Sequence, residues 1–258
     1  MDGNYQNYIN RVVQMTVPSN YKQQLKNIQS SPKFVEGKPV DFPGYSVITP
    51  PYTEDNYNKE FYHNLEDVLS PLVEKLGSDF FLGLPKESFH LTLADLIWEK
   101  SYTNAVKENP DFDNILISEI GKIFSEYNNA ITKTESLELC LEVIGLSIFP
   151  RAIALCLAPT ENSYEPIIQL RQLIYQNEQI IKLGIEQQYD FVAHITLGYF
   201  NKIDENIDLN KVESVIKEVN DLWIEKSDHL FELKQFELRK FTNMINFIRQ
   251  PEWATITL

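Results

Sequence analysis

Residues 88–97 read SFHLTLADLI and residues 191–200 read FVAHITLGYF. Both are dense in Phe, Leu, Ile and Thr, the composition of a half-buried strand. Both also contain His-x-Thr-Leu, once from His90 to Leu93 and once from His194 to Leu197. Strand side chains alternate between faces, so His90 and Thr92 point one way while Phe89, Leu91 and Leu93 point the other. His194 and Thr196 likewise stand opposite Ala193, Ile195 and Leu197. Strict alternation carries the histidine face on to Ala94 and Gly198, whose small size leaves room for a ligand, and it sends Tyr199, otherwise a candidate to stack a base, to the core with Ile195 and Leu197 unless Gly198 introduces a bulge. The chain holds four histidines, and two of them fall in these matched tetrapeptides.

The same order of elements precedes both. A strand at 45–49 and a helix at 56–76, with Phe61, Leu65, Val68 and Leu72 on one face, lead to His90. A strand at 152–157 and a helix at 161–183, with Ile167, Leu170, Ile174 and Ile181, lead to His194. From Tyr45 to His90 is 45 residues and from Ala152 to His194 is 42, so a duplicated strand–helix–strand lobe is expected. Ser70–Pro71 is placed to kink or restart the first helix.

Elsewhere, residues 1–32 read as a helical extension and the Pro- and Gly-rich stretch 31–44 as a loop or hairpin. A short strand is expected at 80–82, a polar loop at 98–110 and a helix from Ile115 to about Ala130. Further strands are expected at 137–149, 231–241, 243–248 and 255–258, with a helix through Val212 and Trp223. No linker or low-complexity tract divides residues 33–258, which are expected to form a single domain of the α+β class.

Hydrophobic residues make up 43% of the 258 and charged residues 23%, as in an ordinary globular chain. The net charge of −14 opposes salt-driven binding to long nucleic acid, while leaving a small anion in a local pocket as a partner. No apolar run is long enough to span a membrane, and the start MDGNYQNYINRVV lacks a basic then apolar leader, so a cytoplasmic protein is expected. Cys140 and Cys156 lie in apolar runs and read as buried free thiols. The nine glycines fall in no GxGxxG or GxxxxGK[ST] pattern, and neither GxSxG nor HExxH occurs, which sets aside the common nucleotide-loop, serine-hydrolase and zinc-helix classes.

Two imidazoles facing one cleft suit general acid–base chemistry, because histidine titrates near neutrality and one ring can be base while the other is acid. Thr92 and Thr196 supply hydroxyl donors to phosphate oxygens. This needs no metal or cofactor, and no carboxylate stands at fixed spacing to both motifs to complete a metal site. Lys86 and Ser88 share strand parity with His90, and Arg151 opens the strand of the second unit; all three are candidate substrate contacts. His63, on the helix at 56–76, and His229, in the polar stretch KSDHL, read as ordinary residues.

With these motifs in view, the stretches 31–48 (SPKFVEGKPVDFPGYSVI), 85–97 (PKESFHLTLADLI) and 191–200 resemble the 2H phosphoesterase superfamily, named for its paired His-x-Thr/Ser motifs. They look most like its DUF1868, or 2H phosphodiesterase-like, branch. The superfamily includes bacterial 2′-5′ RNA ligase-like proteins and cyclic nucleotide phosphodiesterases. The resemblance implies a bilobal α+β fold, two antiparallel sheets flanking a central cleft with helices outside. It implies metal-independent action on a 2′,3′-cyclic or RNA-terminal phosphodiester, with His90 and His194 as the acid–base pair and Thr92 and Thr196 as phosphate clamps. The alternative is a non-hydrolytic module holding a nucleotide or RNA end in the same cleft. Hydrolysis and ligation stay open, since one acid–base pair serves both directions.

Overall fold

The structure, a computed structural model, describes residues 3–131, 138–225 and 230–258. In chain order it runs α1 (Tyr5–Thr16), α2 (Tyr21–Leu25), β1 (Phe34–Val35), β2 (Lys38–Pro39), β3 (Gly44–Ile48) and α3 (Lys59–Leu76). Then come β4 (Phe81–Gly83), β5 (Thr92–Trp98), α4 (Glu99–Glu108), α5 (Phe112–Ile131), β6 (Cys140–Phe149) and β7 (Ala152–Pro159). The rest is α6 (Glu161–Gln176), α7 (Glu178–Lys182), β8 (His194–Phe200), α8 (Leu209–Ile224), β9 (Leu230–Glu232), β10 (Gln235–Asn243), β11 (Asn246–Ile248) and β12 (Thr255–Thr257).

Two sheets of five strands organise these elements, with a small β1–β2 hairpin beside them. The first has the order β11-β10-β3-β5, with β12 also on β10; the second is β4-β8-β7-β6-β9. Pairing is antiparallel throughout the described residues, as the expected α+β class requires. Helix α3 packs on β4 and α8, against the second sheet, whereas α6 packs on α5 and β5 as well as on β7. The apolar stripe of α3 (Phe61, Leu65, Val68, Leu72) is buried as its spacing implies. Its helix runs through Pro71 without a break.

Several expectations are corrected. Residues 99–108 form α4, not a loop: Glu, Lys and Ala favour helix, and Tyr102 alone is buried, packed on Tyr45 and Phe112 and hydrogen-bonded to Asp113. The helix expected at 161–183 divides at Asn177, which is extended and whose side chain accepts from the N–H groups of Gln179 and Ile180. The strand expected at 231–241 is two strands in different sheets, β9 in the second and β10 in the first. Its burial alternation slips from Phe231 and Leu233 to Phe236 and Leu238, a one-residue phase change at the crossing. The strand expected at 137–149 begins at Cys140, and Leu137 and His229 lie outside the described residues.

The largest correction concerns the two His-x-Thr strands. Along β5, Ile48 faces Thr92 and Val47 faces Ala94, leaving Leu93 unmatched; Ser46 faces Asp95 and Tyr45 faces Ile97, leaving Leu96 unmatched. Along β8, Ala154 faces Thr196 and Ile153 faces Gly198, leaving Leu197 unmatched. Each bulge inserts one residue and flips the side-chain parity beyond it. Thr92, Asp95 and Trp98 therefore share a face, while Ala94 is buried in the core. Likewise Tyr199, not Gly198, continues the face of His194 and Thr196. Gly198 turns to β4, where an added Cβ would lie 2.3 Å from the Leu82 carbonyl and 2.5 Å from the Phe81 ring. Because backbone cannot yield there as a flexible side chain would, Gly198→Ala is expected to cost about 2–3 kcal/mol in urea unfolding.

Candidate active site

Residues of both sheets line one open cavity of about 360 Å³, within the usual range for a small-ligand site. His90, Thr92 and Ser46 reach it from the first sheet and its flank; His194, Thr196 and Tyr199 reach it from the second. His90 lies just before β5, held alongside β3 by two bonds: the Thr49 N–H donates to the Leu91 carbonyl and the Leu91 N–H to Thr49 Oγ1.

The two imidazoles are set in the same way. His90 Nδ1 lies 2.7 Å from the carbonyl of Ser88, and His194 Nδ1 lies 2.7 Å from the carbonyl of Val192. A carbonyl only accepts, so Nδ1 carries the proton in both rings, and Nε2 is the atom left to take or give one. Each ring also rests on a phenylalanine, His90 on Phe247 at 4.3 Å between centroids and His194 on Phe149 at 5.0 Å. Burial against these rings lowers the pKa of His90 to about 4 and moves His194 in the same direction. The backbone carbonyls and the Asp95 carboxylate oppose that shift at both histidines. Burial thus favours the neutral form of both rings at pH 7. The hydroxyls of Thr92 and Thr196 face the cavity, and among the described residues neither has a hydrogen-bond partner.

Lys33 adds a cation. It lies over the rings of Phe42 and Tyr199, 5.0 Å from each centroid, with Nζ 3.4 Å from the Tyr199 hydroxyl and no carboxylate partner among the described residues. Arg151, at the β6–β7 turn, also lines the cavity. Trp98, Phe241, Met244 and Phe247 add apolar lining, and the Asp95 and Glu99 side chains also line the cavity. The lining thus offers cations to an anion and aromatic faces to a flat ring.

Of the residues singled out from sequence, His90, Thr92, His194, Thr196, Ser88 and Arg151 meet at the cavity. Ser88 does so through its main chain, since its hydroxyl donates to the Pro85 carbonyl. Lys86 does not meet them. Residues 86–88 form a 3₁₀ turn rather than strand, and its ammonium pairs with Glu66 at 2.9 Å. His63 is exposed beside Glu66, and Cys140 and Cys156 are free thiols, the second fully buried. Alternation missed Asp95 and Trp98 because it could not foresee the bulges in β5, and Tyr199 reaches the cavity because β8 does bulge, at Leu197 beside Gly198. Lys33 lay unremarked in the loop at 31–44.

The N-terminal helices support this site. The Tyr8 hydroxyl donates to the Leu157 carbonyl at 2.7 Å and accepts from the N–H of Ala193 at 3.1 Å, one residue before His194. Tyr8→Phe leaves both groups buried and unpaired, so a loss of about 1–3 kcal/mol is expected in urea unfolding.

Among the described residues no three of His, Cys, Asp and Glu converge where they could hold a metal ion, and no helix is long and apolar enough to cross a membrane. No family profile and no curated protein matches the chain. The fold is similar to that of a conserved protein of unknown function from Agrobacterium tumefaciens, at 14% identity and a TM-score of 0.55, over 88% of this chain and 95% of that one. Weaker likenesses are to Escherichia coli LigT complexed with 3′-AMP (13% identity, TM-score 0.40, 84% of this chain and 96% of that one). Kluyveromyces marxianus Usb1 is similar at 10% identity, TM-score 0.44, over 84% of this chain and 98% of that one.

Proposed function

We propose that the protein is a metal-independent phosphodiesterase of the 2H type, of the DUF1868 branch, that opens a 2′,3′-cyclic or RNA-terminal phosphodiester by two-histidine acid–base catalysis. The observation that carries this reading is the pair of imidazoles, each tied through Nδ1 to a backbone carbonyl and presenting Nε2 to one cavity. The scaffold is a duplicated bilobal one, in which the units β3-α3-β5 and β7-α6-β8 correspond and residues 1–32 buttress the second. Matching bulges at Leu93 and Leu197, each three residues after its histidine, support that correspondence.

In the reaction, one imidazole takes a proton from water as its oxygen bonds to phosphorus. The other, entering the reaction protonated at both nitrogens, gives its Nε2 proton to the departing ribose oxygen as the P–O bond breaks. Thr92 and Thr196 donate to the non-bridging oxygens, and Lys33 with Arg151 attracts the anion. Trp98 and Phe247 offer faces on which a base can stack. A cavity of about 360 Å³ and a net charge of −14 favour a mononucleotide or a single RNA end over a long strand.

The test is incubation with a panel of 2′,3′-cyclic nucleotides and cyclic-phosphate-ended short RNAs in EDTA. A single monoester isomer is expected as product. Tight binding with every ligand recovered unchanged would replace the enzyme by the nucleotide-binding module.

A further inference from the structure

The two His-x-Thr units both bring a histidine and a threonine to the cavity and diverge beyond them. Five residues after His194 stands Tyr199, beside Lys33; five residues after His90 stands Asp95. Asp95 is half-buried, lines the cavity and is anchored from both units. Ser46 on β3 donates to its Oδ1 at 2.8 Å, and the Tyr189 hydroxyl, from the segment leading to β8, donates to its Oδ2. Helix α6 of the second unit grips the same stretch of β5. The Tyr175 hydroxyl donates to the Asp95 carbonyl at 2.7 Å, and the buried Arg171 donates to the carbonyl of Leu93, the bulged residue, and to that of Tyr189.

Resting on the phosphodiesterase reading, we propose that Asp95 is a positioning residue shared by both histidines: it ties the two units together across the cleft and holds a proton on whichever imidazole serves as acid. A carboxylate where a phosphate must bind repels the substrate, so its place is explained by a benefit to the rings and not to the anion. Its charge favours the protonated form of His90 and of His194 alike, against the burial that strips protons from both. The other charges facing the rings act the opposite way: Arg239 on β10 at His90, Lys33 at His194, and His194 itself at His90. Arg151 and Glu99 lie at the cavity wall. Among these, Asp95 alone favours protonation at both rings.

The test is Asp95→Asn, which keeps the shape and an acceptor for Ser46, read in two ways. Histidine ring NMR titrations of the free protein are expected to move down by about one unit for both His90 and His194. Under the phosphodiesterase reading, kcat falls roughly tenfold while KM for a cyclic nucleotide holds or drops, because a repelling charge has gone. A merely structural role would leave the titrations in place, and unmoved titrations would overturn the proposal. The NMR result stands whether or not the protein turns over substrate, and wild-type turnover tests the enzyme reading separately. Should Asp95→Asn fail to fold, Tyr189→Phe, at an exposed position, removes only the cross-unit bond to the Asp95 carboxylate and leaves those of Tyr175 and Arg171 to the β5 backbone. Several-fold lower kcat at an unchanged Tm supports the tether, and unchanged kcat overturns it.

Discussion

His90→Ala and His194→Ala are each expected to lower kcat on a 2′,3′-cyclic nucleotide by at least about 10³-fold while leaving KM within a few-fold. Neither ring holds the fold together. Each makes one backbone hydrogen bond and one aromatic contact at the cavity surface, so loss of either is expected to cost about 1 kcal/mol or less. On the proposed reading, phosphate is held by Thr92, Thr196, Lys33 and Arg151, which stay in place, so the missing proton transfer appears in kcat. The double variant is expected to be little worse than either single one, because acid and base work as a unit. Initial rates beside isothermal titration with the same nucleotide separate these effects.

The second large effect concerns acid. A free histidine in the unfolded chain titrates near 6.5, whereas His90 in the fold titrates at about 4. Between those values the unfolded state binds the extra proton and the native state does not, so stability falls as pH falls through this window and is complete above it. The gap corresponds to about 3 kcal/mol at His90 by pH 4, with His194 adding in the same direction. His90→Gln cannot be protonated there, so it is expected to lose less stability than wild type between pH 7.5 and pH 4.5. Urea midpoints at the two pH values measure the difference, and carboxylates common to both proteins cancel. Equal losses would show that His90 is not kept neutral by the fold.

The two His-x-Thr strands and the stripe of α3 were legible in the sequence because each is a periodic pattern with its key residues at fixed places. The course of each strand beyond its motif was not legible. Leu93, Leu96 and Leu197 look like ordinary strand residues, and nothing in an apolar Leu shows that it will bulge. Three such bulges moved Asp95, Trp98 and Tyr199 into the cavity and took Ala94 and Gly198 out of it. Lys33 is brought in by long-range packing of Phe34 and Lys33 on Tyr199, which local pattern cannot express. Lys86 failed for a local reason, since the strand stops short of it and a 3₁₀ turn faces it to Glu66. The crossing at Leu233–Lys234 did leave a trace, the phase slip in burial, but only alternation read residue by residue would reveal it.

The most direct test of the account is the pH dependence of kcat/KM for hydrolysis of a 2′,3′-cyclic nucleotide in EDTA from pH 4 to 9. Because kcat/KM reports the free protein, in which burial lowers both imidazoles, the account requires a bell-shaped profile with its maximum below about pH 6.5. In each single-histidine variant, the residual rate should lack one limb of that bell. A profile flat across this range, or one unchanged in shape by loss of either histidine, would contradict a two-histidine acid–base mechanism.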